Sequence, residues 1–590
     1  MKFDQTIQAK KGMPSIYYGD HVRSMDGSLV AANWLVSAYQ AATGTGTEGM
    51  ATIAGMMMTS NGLWYADPHH IFFANQLAFS ATDTLKTVVT DTDDNSVEIG
   101  GRYVSHNVKT TLAGSLASAE TSTMSLTDAT DFPTSGDVII LGSSELSSTK
   151  ETISYTGKSG NSLTGLTRGT NNSTQQIHWT GYTVVGFVDE WADIGETASY
   201  RPAVLHNDFM FVGNGHYIAG WNDADASTFS TNLLDLPVGY EVRTLTSAVI
   251  GNQRMVIIGA IRGNDSALFL WDGADTTWAR RIDIPGTITC MTETYIVTQR
   301  AIFQTDGYIV SPLFQFPGGE PPTIISVATR DHYLYLLSSL ADATTIRRRG
   351  GLWILDLLDK TLTHTSMSTA SAGSGKVVFA KTAYVYVGGT SEIDRLDPSR
   401  HAKVSSIWIP YAPSTGRKLR LTDLFLSVGE DILTGTSQTD YDTAFRTIVR
   451  VAPMTEHTGK MVELATGVST TTFTCSAAVA SHLSVGDRVE FTLGQIRQIV
   501  SISTAASPLI TIDEALAATP SNSTYFLWTP NMRQVADIQT TGAIVPEDMH
   551  IVVNQQPTGF GFMVEVEFRL TEYNQPAPVL RAIEFVGNIL

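Results

Sequence analysis

The 590-residue sequence has no long apolar stretch, little charge and two cysteines. A membrane-spanning helix needs about 18 consecutive apolar residues, so the missing stretch argues against a membrane span. Basic residues near the N-terminus have no apolar core after them, and we expect no cleaved secretion signal. Cys290 and Cys475 lie in separate β-like segments, where buried free thiols are favoured over a disulfide. No Cys/His cluster has zinc spacing, so we assign no metal and no cofactor.

Charged residues make up only 16% of the chain, and acids outnumber bases by 57 to 38, for a net charge of −19. Binding to double-stranded nucleic acid depends on Lys and Arg neutralising phosphates, so this chain is a poor candidate for gripping DNA. The favoured interpretation is that the acidity keeps a large protein soluble. The alternative is an acidic wall along which DNA slides without sticking.

The common enzyme signatures are missing as well. The chain has no G-x-S-x-G elbow, no H-E-x-x-H, no P-loop and no phosphate-cradling G-x-G-x-x-G. We therefore assign no catalytic residue and expect a non-enzymatic protein.

The central part of the chain repeats one pattern five times. Each copy has a polar turn, an apolar β-branched or aromatic run, a Gly/Asn/Asp/Ser turn and a second apolar run. The copies occupy 206–222, 251–273, 292–310, 330–360 and 381–397. Starts about 40–50 residues apart are typical of propeller blades, and units this short must stack on one another to bury their sheets. The sequence therefore predicts an all-β fold built on a β-propeller, with six to eight blades.

Residues 1–60 are the least β-like segment. Apolar residues at helical spacing, followed by a Gly/Thr stop, predict one amphipathic helix at 28–42. Residues 61–112 then look like the first propeller strands.

Two similar segments interrupt the repeats, at 113–190 and 462–529. Each has a Thr/Ser-rich strand, a Gly-Asp turn (Gly136-Asp137 and Gly486-Asp487) and three further alternating strands. This pattern predicts two small antiparallel β-barrels or sandwiches.

The rest of the chain completes the expected division. Blades fill 191–461, and the C-terminal strands at 530–590 are expected to close the propeller by pairing with strands near 60–110, because an open ring would leave exposed edges.

The first insert contains motifs that carry a family resemblance. They are Phe132-Pro133, the strand Ile153–Gly157, the turn Leu163–Gly169, and His178 with Gly181. This stretch, about 50 residues from Asp131 to Tyr182, resembles a β-module that recurs in structural proteins of tailed bacteriophages. The whole layout is similar to the tail nozzle (tubular tail) proteins of short-tailed phages, by analogy of architecture.

The resemblance implies a location and partners. It implies a virion tail protein that forms a ring of identical subunits, commonly six, at the distal end of the tail. Such a ring docks on the portal–adaptor complex, carries tail fibres and lines the channel through which phage DNA leaves without specific binding. Two other hypotheses stay open: a receptor- or glycan-binding tail protein that uses propeller loops, and a propeller-fold polysaccharide hydrolase with carboxylates around the pore.

Two segments raise the question of metal binding. His69 and His70 are adjacent in a β-like segment, where neighbouring side chains point to opposite faces, so a structural role is favoured over chelation. The segment 91–98 has alternating oxygen side chains like a calcium loop, but it lacks the glycine and the final glutamate of one. A solvated turn is favoured there.

Two further sets of residues are candidates for contacts. Arg347, Arg348 and Arg349 form the densest positive charge in the chain, in an expected interstrand turn. A solvated hairpin tip is the simpler interpretation, and an intersubunit or phosphate contact is the functional one. The tryptophans at 221, 271 and 353 recur at similar repeat positions, and core packing is favoured over a sugar-stacking platform.

Overall fold

The computed structural model describes the chain apart from a set of segments. Those outside the description are 1, 9–32, 41–53, 61, 75, 143–149, 196–197, 223–224, 300, 316–323, 339–350, 359–360, 366–376, 381–384, 390–391, 402–403, 412–416, 432–444, 454–460, 481–482, 484, 486–487, 492–494, 506, 517, 521–523, 529–532, 541–547, 555 and 571–576. The first two strands are described by their backbone: β1 (Lys2–Gln8) and β2 (Asn33–Gln40).

Seven antiparallel sheets of four strands follow the repeats. The first three are β3 (Gly55–Thr59), β4 (Gly62–Ala66), β5 (His70–Phe73) and β6 (Gln76–Ser80); β7 (Leu85–Thr90), β8 (Ser96–Gly100), β9 (Tyr103–Thr111) and β14 (Thr183–Asp193); and β15 (Ala203–His206), β16 (Phe209–Asn214), β17 (Tyr217–Asn222) and β18 (Asp225–Asp235).

The remaining four sheets continue the series along the chain. They are β19 (Glu241–Ile250), β20 (Gln253–Arg262), β21 (Asp265–Trp271) and β22 (Arg280–Ile284); β23 (Ile288–Thr292), β24 (Tyr295–Thr298), β25 (Ala301–Thr305) and β26 (Val310–Gln315); β27 (Ile324–Arg330), β28 (Tyr333–Ser338), β29 (Gly351–Asp356) and β30 (Thr361–Thr365); and β31 (Val377–Phe379), β32 (Tyr386–Gly388), β33 (Glu392–His401) and β2.

These sheets are the blades of a closed seven-bladed propeller. The first strands β3, β7, β15, β19, β23, β27 and β31 contact one another in that order, and β31 contacts β3 again. Apolar clusters fill the spaces between neighbouring blades, as stacked sheets that cannot bury both faces alone require. The predicted propeller is confirmed, and its seven blades fall within the expected six to eight.

The N-terminal part of the chain closes the ring. Strand β2 is the outermost strand of the seventh blade and pairs antiparallel with β33, from Asn33 opposite His401 to Gln40 opposite Glu392. The helix predicted at 28–42 is therefore wrong: residues 33–40 form a strand, and the others lie outside the described residues. Hydrogen bonds from a strand about 360 positions away override the local helical pattern, since tertiary pairing routinely outweighs propensity.

The first inserted module lies between β9 and β14 in the second blade. It contains β10 (Thr123–Ser125), β11 (Gly136–Ile140), β12 (Glu151–Ser159) and β13 (Ser162–Thr170). The pairing order is β9–β14–β11–β12–β13–β10, and an isolated bridge between Leu112 and Leu126 returns from the end of β10 to the end of β9. Thus β9 and β14 belong to the blade and to the module at once.

The second inserted module is a closed barrel. Its elements are β37 (Met461–Gly467), β38 (Thr472–Thr474), α1 (Ala477–Ala480), β39 (Arg488–Phe491), β40 (Gln495–Ile502), β41 (Leu509–Ile512) and β42 (Thr524–Trp528). The pairing order β37–β42–β39–β40–β41–β38 is the order of the first module, strand for strand. The prediction of two small antiparallel modules is confirmed, and their sequence similarity reflects one shared topology.

The remaining strands form a separate C-terminal sandwich. They are β34 (Val404–Tyr411), β35 (Leu419–Asp431), β36 (Phe445–Pro453), β43 (Arg533–Thr540), β44 (Asp548–Val552), β45 (Thr558–Gly559), β46 (Phe562–Leu570) and β47 (Ala577–Ile589). One sheet has the order β1–β47–β35–β44, with β45 also on β35, and the other has the order β34–β46–β36–β43. A shared apolar core lies between the two sheets.

This sandwich corrects two sequence expectations. Residues 530–590 do not close the propeller, because β47 pairs with β1 and β35 and not with strands near 60–110. The blades also end at His401, not at 461, since β34–β36 belong to the sandwich, and the second module interrupts the sandwich between β36 and β43. Apolar alternation is the same in a blade and in a sandwich, so it could not separate them.

The connections place the first module and the C-terminal sandwich on the same side of the propeller. In a four-stranded meander, the turn between the first two strands and the turn between the last two lie at the same end. The first module leaves the second blade between its third and fourth strands, and the chain leaves the seventh blade after its third strand to enter the sandwich.

Within the described residues, no helix has the length and apolar character needed to cross a bilayer.

Candidate interaction surfaces

The first module is organised around a buried charged cluster. Glu151, Arg168 and His178 have side chains at most 1% exposed. The guanidinium of Arg168 donates to both carboxylate oxygens of Glu151 at 2.7 Å, from Nε to Oε1 and from Nη2 to Oε2. His178 Nε2 lies 2.8 Å from Oε2. A bidentate guanidinium–carboxylate pair of this kind fixes geometry as well as charge.

Backbone groups complete this cluster. Glu151 accepts hydrogen bonds from the N–H groups of Gly169 at 2.9 Å and Gln176 at 3.0 Å, while Arg168 donates to the carbonyl oxygens of Ala117 and Gln176. The cluster therefore ties the loop after β9 and the loop after β13 to β12.

Electrostatics keep the carboxyl group ionised. Burial by itself would raise the pKa of Glu151, but the hydrogen bonds from His178, Arg168 and the Gln176 N–H outweigh it and lower that pKa to about 2. An ionised carboxylate only accepts hydrogen bonds, so Nε2 of His178 carries the proton. Two residues of the phage-like motif, Arg168 and His178, therefore have a structural role: they bind Glu151 in the interior of the module.

The recurrent tryptophans are core residues. Trp221, Trp271 and Trp353 lie on the third strands of the third, fourth and sixth blades and are 3%, 1% and 3% exposed. The packing interpretation is confirmed, because side chains this buried have no free face for a sugar.

The inner strands of the propeller carry few charges. The first strands of the seven blades contain one acidic residue, Glu241, at one end of β19. Their Lys and Arg residues are Lys86, Arg243 and Arg330. Two facing carboxylates, which glycoside hydrolysis needs, are not offered by these strands.

The two segments considered for metal binding, 69–70 and 91–98, contain hydrogen bonds with structural roles. Asp67 is fully buried; it accepts hydrogen bonds from the N–H groups of His69 and His70, and its carboxylate lies 3.1 Å from the His70 ring nitrogen Nδ1. Asp91 accepts from the Asn95 N–H in the hairpin between β7 and β8, which confirms a turn. Among the residues that the structure describes, no group of three His, Cys, Asp or Glu side chains is placed to hold a metal.

Glu98, the last residue of the segment 91–98, is fully buried in β8, so the expectation of a solvated turn is wrong for this residue. Ser96 Oγ donates to its Oε1 at 2.5 Å, and Asn107 donates to Ser96 Oγ. Glu98 Oε2 is buried without a hydrogen-bond partner. Burial raises the pKa of Glu98 to about 8, so this carboxyl is largely protonated at neutral pH.

A cleft of about 490 Å³ lies between the fourth and fifth blades, at the end that carries the first module. Its walls include Val249 and Ile250 from β19 and Thr305 and Asp306 at the end of β25. Asp306 accepts from the N–H groups of Tyr308 and Ile309, both at 2.8 Å, and these bonds lower its pKa. The turn that edges this cleft is therefore well fixed.

The arginine run and the two cysteines are the remaining residues singled out from the sequence. Arg347, Arg348 and Arg349 lie outside the described residues. Cys290 and Cys475 are buried free thiols, as expected, and burial raises the pKa of Cys290 to about 12. Sequence reasoning missed Glu151, whose only local signal was an acid opening an otherwise alternating strand. It also missed the buried Arg201 and the exposed Trp179.

Comparison with known proteins gives no family for this chain. No protein-family model and no curated protein matches the chain. Among solved structures, the Dos1 propeller matches with a TM-score of 0.31, 10% identity, and coverage of 63% of this chain and 96% of that one. YCF48 bound to D1 peptide matches with a TM-score of 0.28, 11% identity and coverage of 59% and 92%. The computationally designed Ika8 protein matches with a TM-score of 0.30, 11% identity and coverage of 61% and 99%. At these TM-scores the similarities carry no argument about fold or function.

Proposed function

We propose that this chain is a non-enzymatic structural component of a bacteriophage tail, and specifically the nozzle of a short-tailed phage. Copies form a ring, commonly of six, that docks on the portal–adaptor complex and carries tail fibres. The ring surrounds the channel through which DNA leaves the virion.

This proposal is supported by the resemblance of residues 131–182 to a β-module that recurs in structural proteins of tailed bacteriophages. The motif residues have structural roles in this module: Arg168 and His178 contact Glu151 in one buried cluster, and Phe132 packs in the module core. A resemblance in residues that hold the interior of a module together is stronger support than a resemblance in surface residues.

The architecture supports a role in shape and contact. A seven-bladed ring with a nearly uncharged inner surface is a rigid body, and two modules of one topology extend from it and from the sandwich. The net charge of −19 gives DNA phosphates little to hold, which suits a passage that DNA must leave quickly.

Electron microscopy of the full chain tests the proposal. The protein is purified alone and with the portal–adaptor complex encoded beside it, and we expect rings that cap the narrow end of that complex. A portal–adaptor complex from an unrelated long-tailed phage is the control and should not bind. If the chain stays monomeric beside its own neighbours, the proposal fails.

A further inference from the structure

Trp179 is the one exposed tryptophan among the residues whose side chains the structure describes. It is 59% exposed, and Ile177 is 52% exposed, whereas His178 between them is fully buried. Gln175 is exposed as well. Exposed and inward residues thus alternate as in an extended chain, so Gln175, Ile177 and Trp179 lie on one side.

This segment is held rigidly. His178 N–H donates to the carbonyl oxygen of Leu116 at 3.0 Å, and Leu116 N–H donates back to His178 at 2.8 Å. The ring of His178 is fixed by Glu151 beneath. Residues 113–118 and 174–181 are therefore joined by an isolated antiparallel bridge, and we call this pair of segments the Trp179 ribbon. Its backbone is held in place before any ligand arrives.

The chemistry of the ribbon is apolar and uncharged. Segments 113–119 and 171–181 contain no Asp, Glu, Lys or Arg. Ser115 and Thr180 hydroxyls lie 3.4 Å apart beside Trp179. A large aromatic face next to hydroxyl and amide groups suits a neutral ligand that has an apolar face and many hydroxyls.

Size and charge disfavour other ligands. A stable protein interface buries about 800 Å² on each partner, far more than one tryptophan and one isoleucine offer. A nucleic acid or an acidic polymer would need cations, which these segments lack. Residues i and i+4 of an extended chain are about 13 Å apart, so the distance from Gln175 to Trp179 matches a short oligosaccharide.

We propose that the Trp179 ribbon binds a neutral saccharide by stacking it on the Trp179 ring. This site differs from the recurrent propeller tryptophans, which are buried. The proposal does not rest on the nozzle function, because it uses only the surface of the first module.

The test titrates the full-length protein with maltohexaose, cellohexaose and chitohexaose by calorimetry and tryptophan fluorescence. Wild-type protein should bind at least one of them. Trp179→Ala should weaken binding about ten-fold or more, and Trp179→Phe should retain part of it. Tyr308→Ala, which removes an exposed aromatic residue on the fifth blade, is the matched control and should bind like wild type.

Each other outcome overturns the proposal. Absence of binding to all three sugars, or binding that Trp179→Ala and Trp179→Phe leave unchanged, rules out the ribbon as the site. Equal weakening by Tyr308→Ala also rules it out. If Trp179→Ala instead abolishes self-association of the chain, the occupant is a second copy and not a sugar. Circular dichroism spectra confirm that each variant is folded.

Discussion

The guanidinium of Arg201 donates two hydrogen bonds to the carbonyl oxygen of Gly101, from Nε at 3.0 Å and from Nη2 at 2.8 Å. Arg201 precedes the third blade, and Gly101 lies in a turn of the second. A further bond at 2.6 Å joins Nη1 to Asn214 Oδ1. The buried side chain therefore joins two blades of the ring through polar bonds.

Replacing Arg201 by Met keeps its length and removes these donors. We expect the free energy of unfolding to fall by about 3 kcal/mol, because buried carbonyl oxygens lose their partners. The matched control is Arg243→Met, where a half-buried guanidinium stacks 3.7 Å from the ring centre of Tyr200, and the expected loss is about 1 kcal/mol or less. Chemical denaturation compares the two, and equal losses would contradict the role of Arg201.

Glu151→Gln should destabilise the first module strongly. Removing one charge leaves Arg168 buried without its counterion, and breaking a buried pair costs about 3–5 kcal/mol. Glu120→Gln is the control, because that carboxylate is only partly buried and accepts hydrogen bonds from the nearby N–H groups of Ser122 and Thr123, with no buried cation to leave unpaired. Hydrogen exchange in β12 and β13 should rise for Glu151→Gln alone; unchanged exchange would count against the cluster.

Acid should weaken the same module. The folded pKa of Glu151 is about 2, below its ordinary value near 4.5, so its contribution is present above pH 4.5 and is lost as the pH falls towards 2. We expect the protection factors of amides in β12 and β13, which correct for the intrinsic exchange rate at each pH, to fall across this range in the wild type. Glu151→Gln should show a weaker pH dependence there, and identical profiles would be evidence against the linkage.

Glu98 should act in the opposite direction. Its folded pKa is raised to about 8. The contribution of the neutral carboxyl group to the free energy of unfolding is therefore fully present below pH 4.5 and is lost as the pH rises through 8. Because each pKa unit corresponds to about 1.4 kcal/mol, Glu98→Gln should be more stable than wild type at pH 8 and similar to it at pH 4. Thermal melts at both pH values measure this, and a constant difference would exclude it.

Deleting the N-terminal strands should separate two effects. Loss of residues 1–8 removes β1 from the sandwich, whereas loss of residues 1–40 also removes β2 from the seventh blade. Only the longer deletion should expose the backbone of β33, which then becomes an unprotected edge prone to aggregation. Hydrogen exchange of β33 and light scattering report the result; equal protection in both deletions would refute closure by β2.

The sequence alone determined the class of fold and much of its interior. Repeats of apolar runs and turns give blades because such short sheets must stack. The similarity around Gly136-Asp137 and Gly486-Asp487 identified two modules that share one strand order. Burial of Trp221 and Trp271 also followed from their recurrence, since a residue repeated once per blade faces the same packing each time.

Only tertiary structure decided which distant segments pair. Residues 33–40 have a helical apolar pattern, yet hydrogen bonds to β33 make them a strand, and the C-terminal strands pair with β1 in a sandwich instead of closing the ring. Glu151, Arg168 and His178 are ordinary polar residues until β12, β13 and the following loop bring them together. Period and composition act locally, whereas register, ring closure and buried charge depend on contacts between residues far apart in the chain.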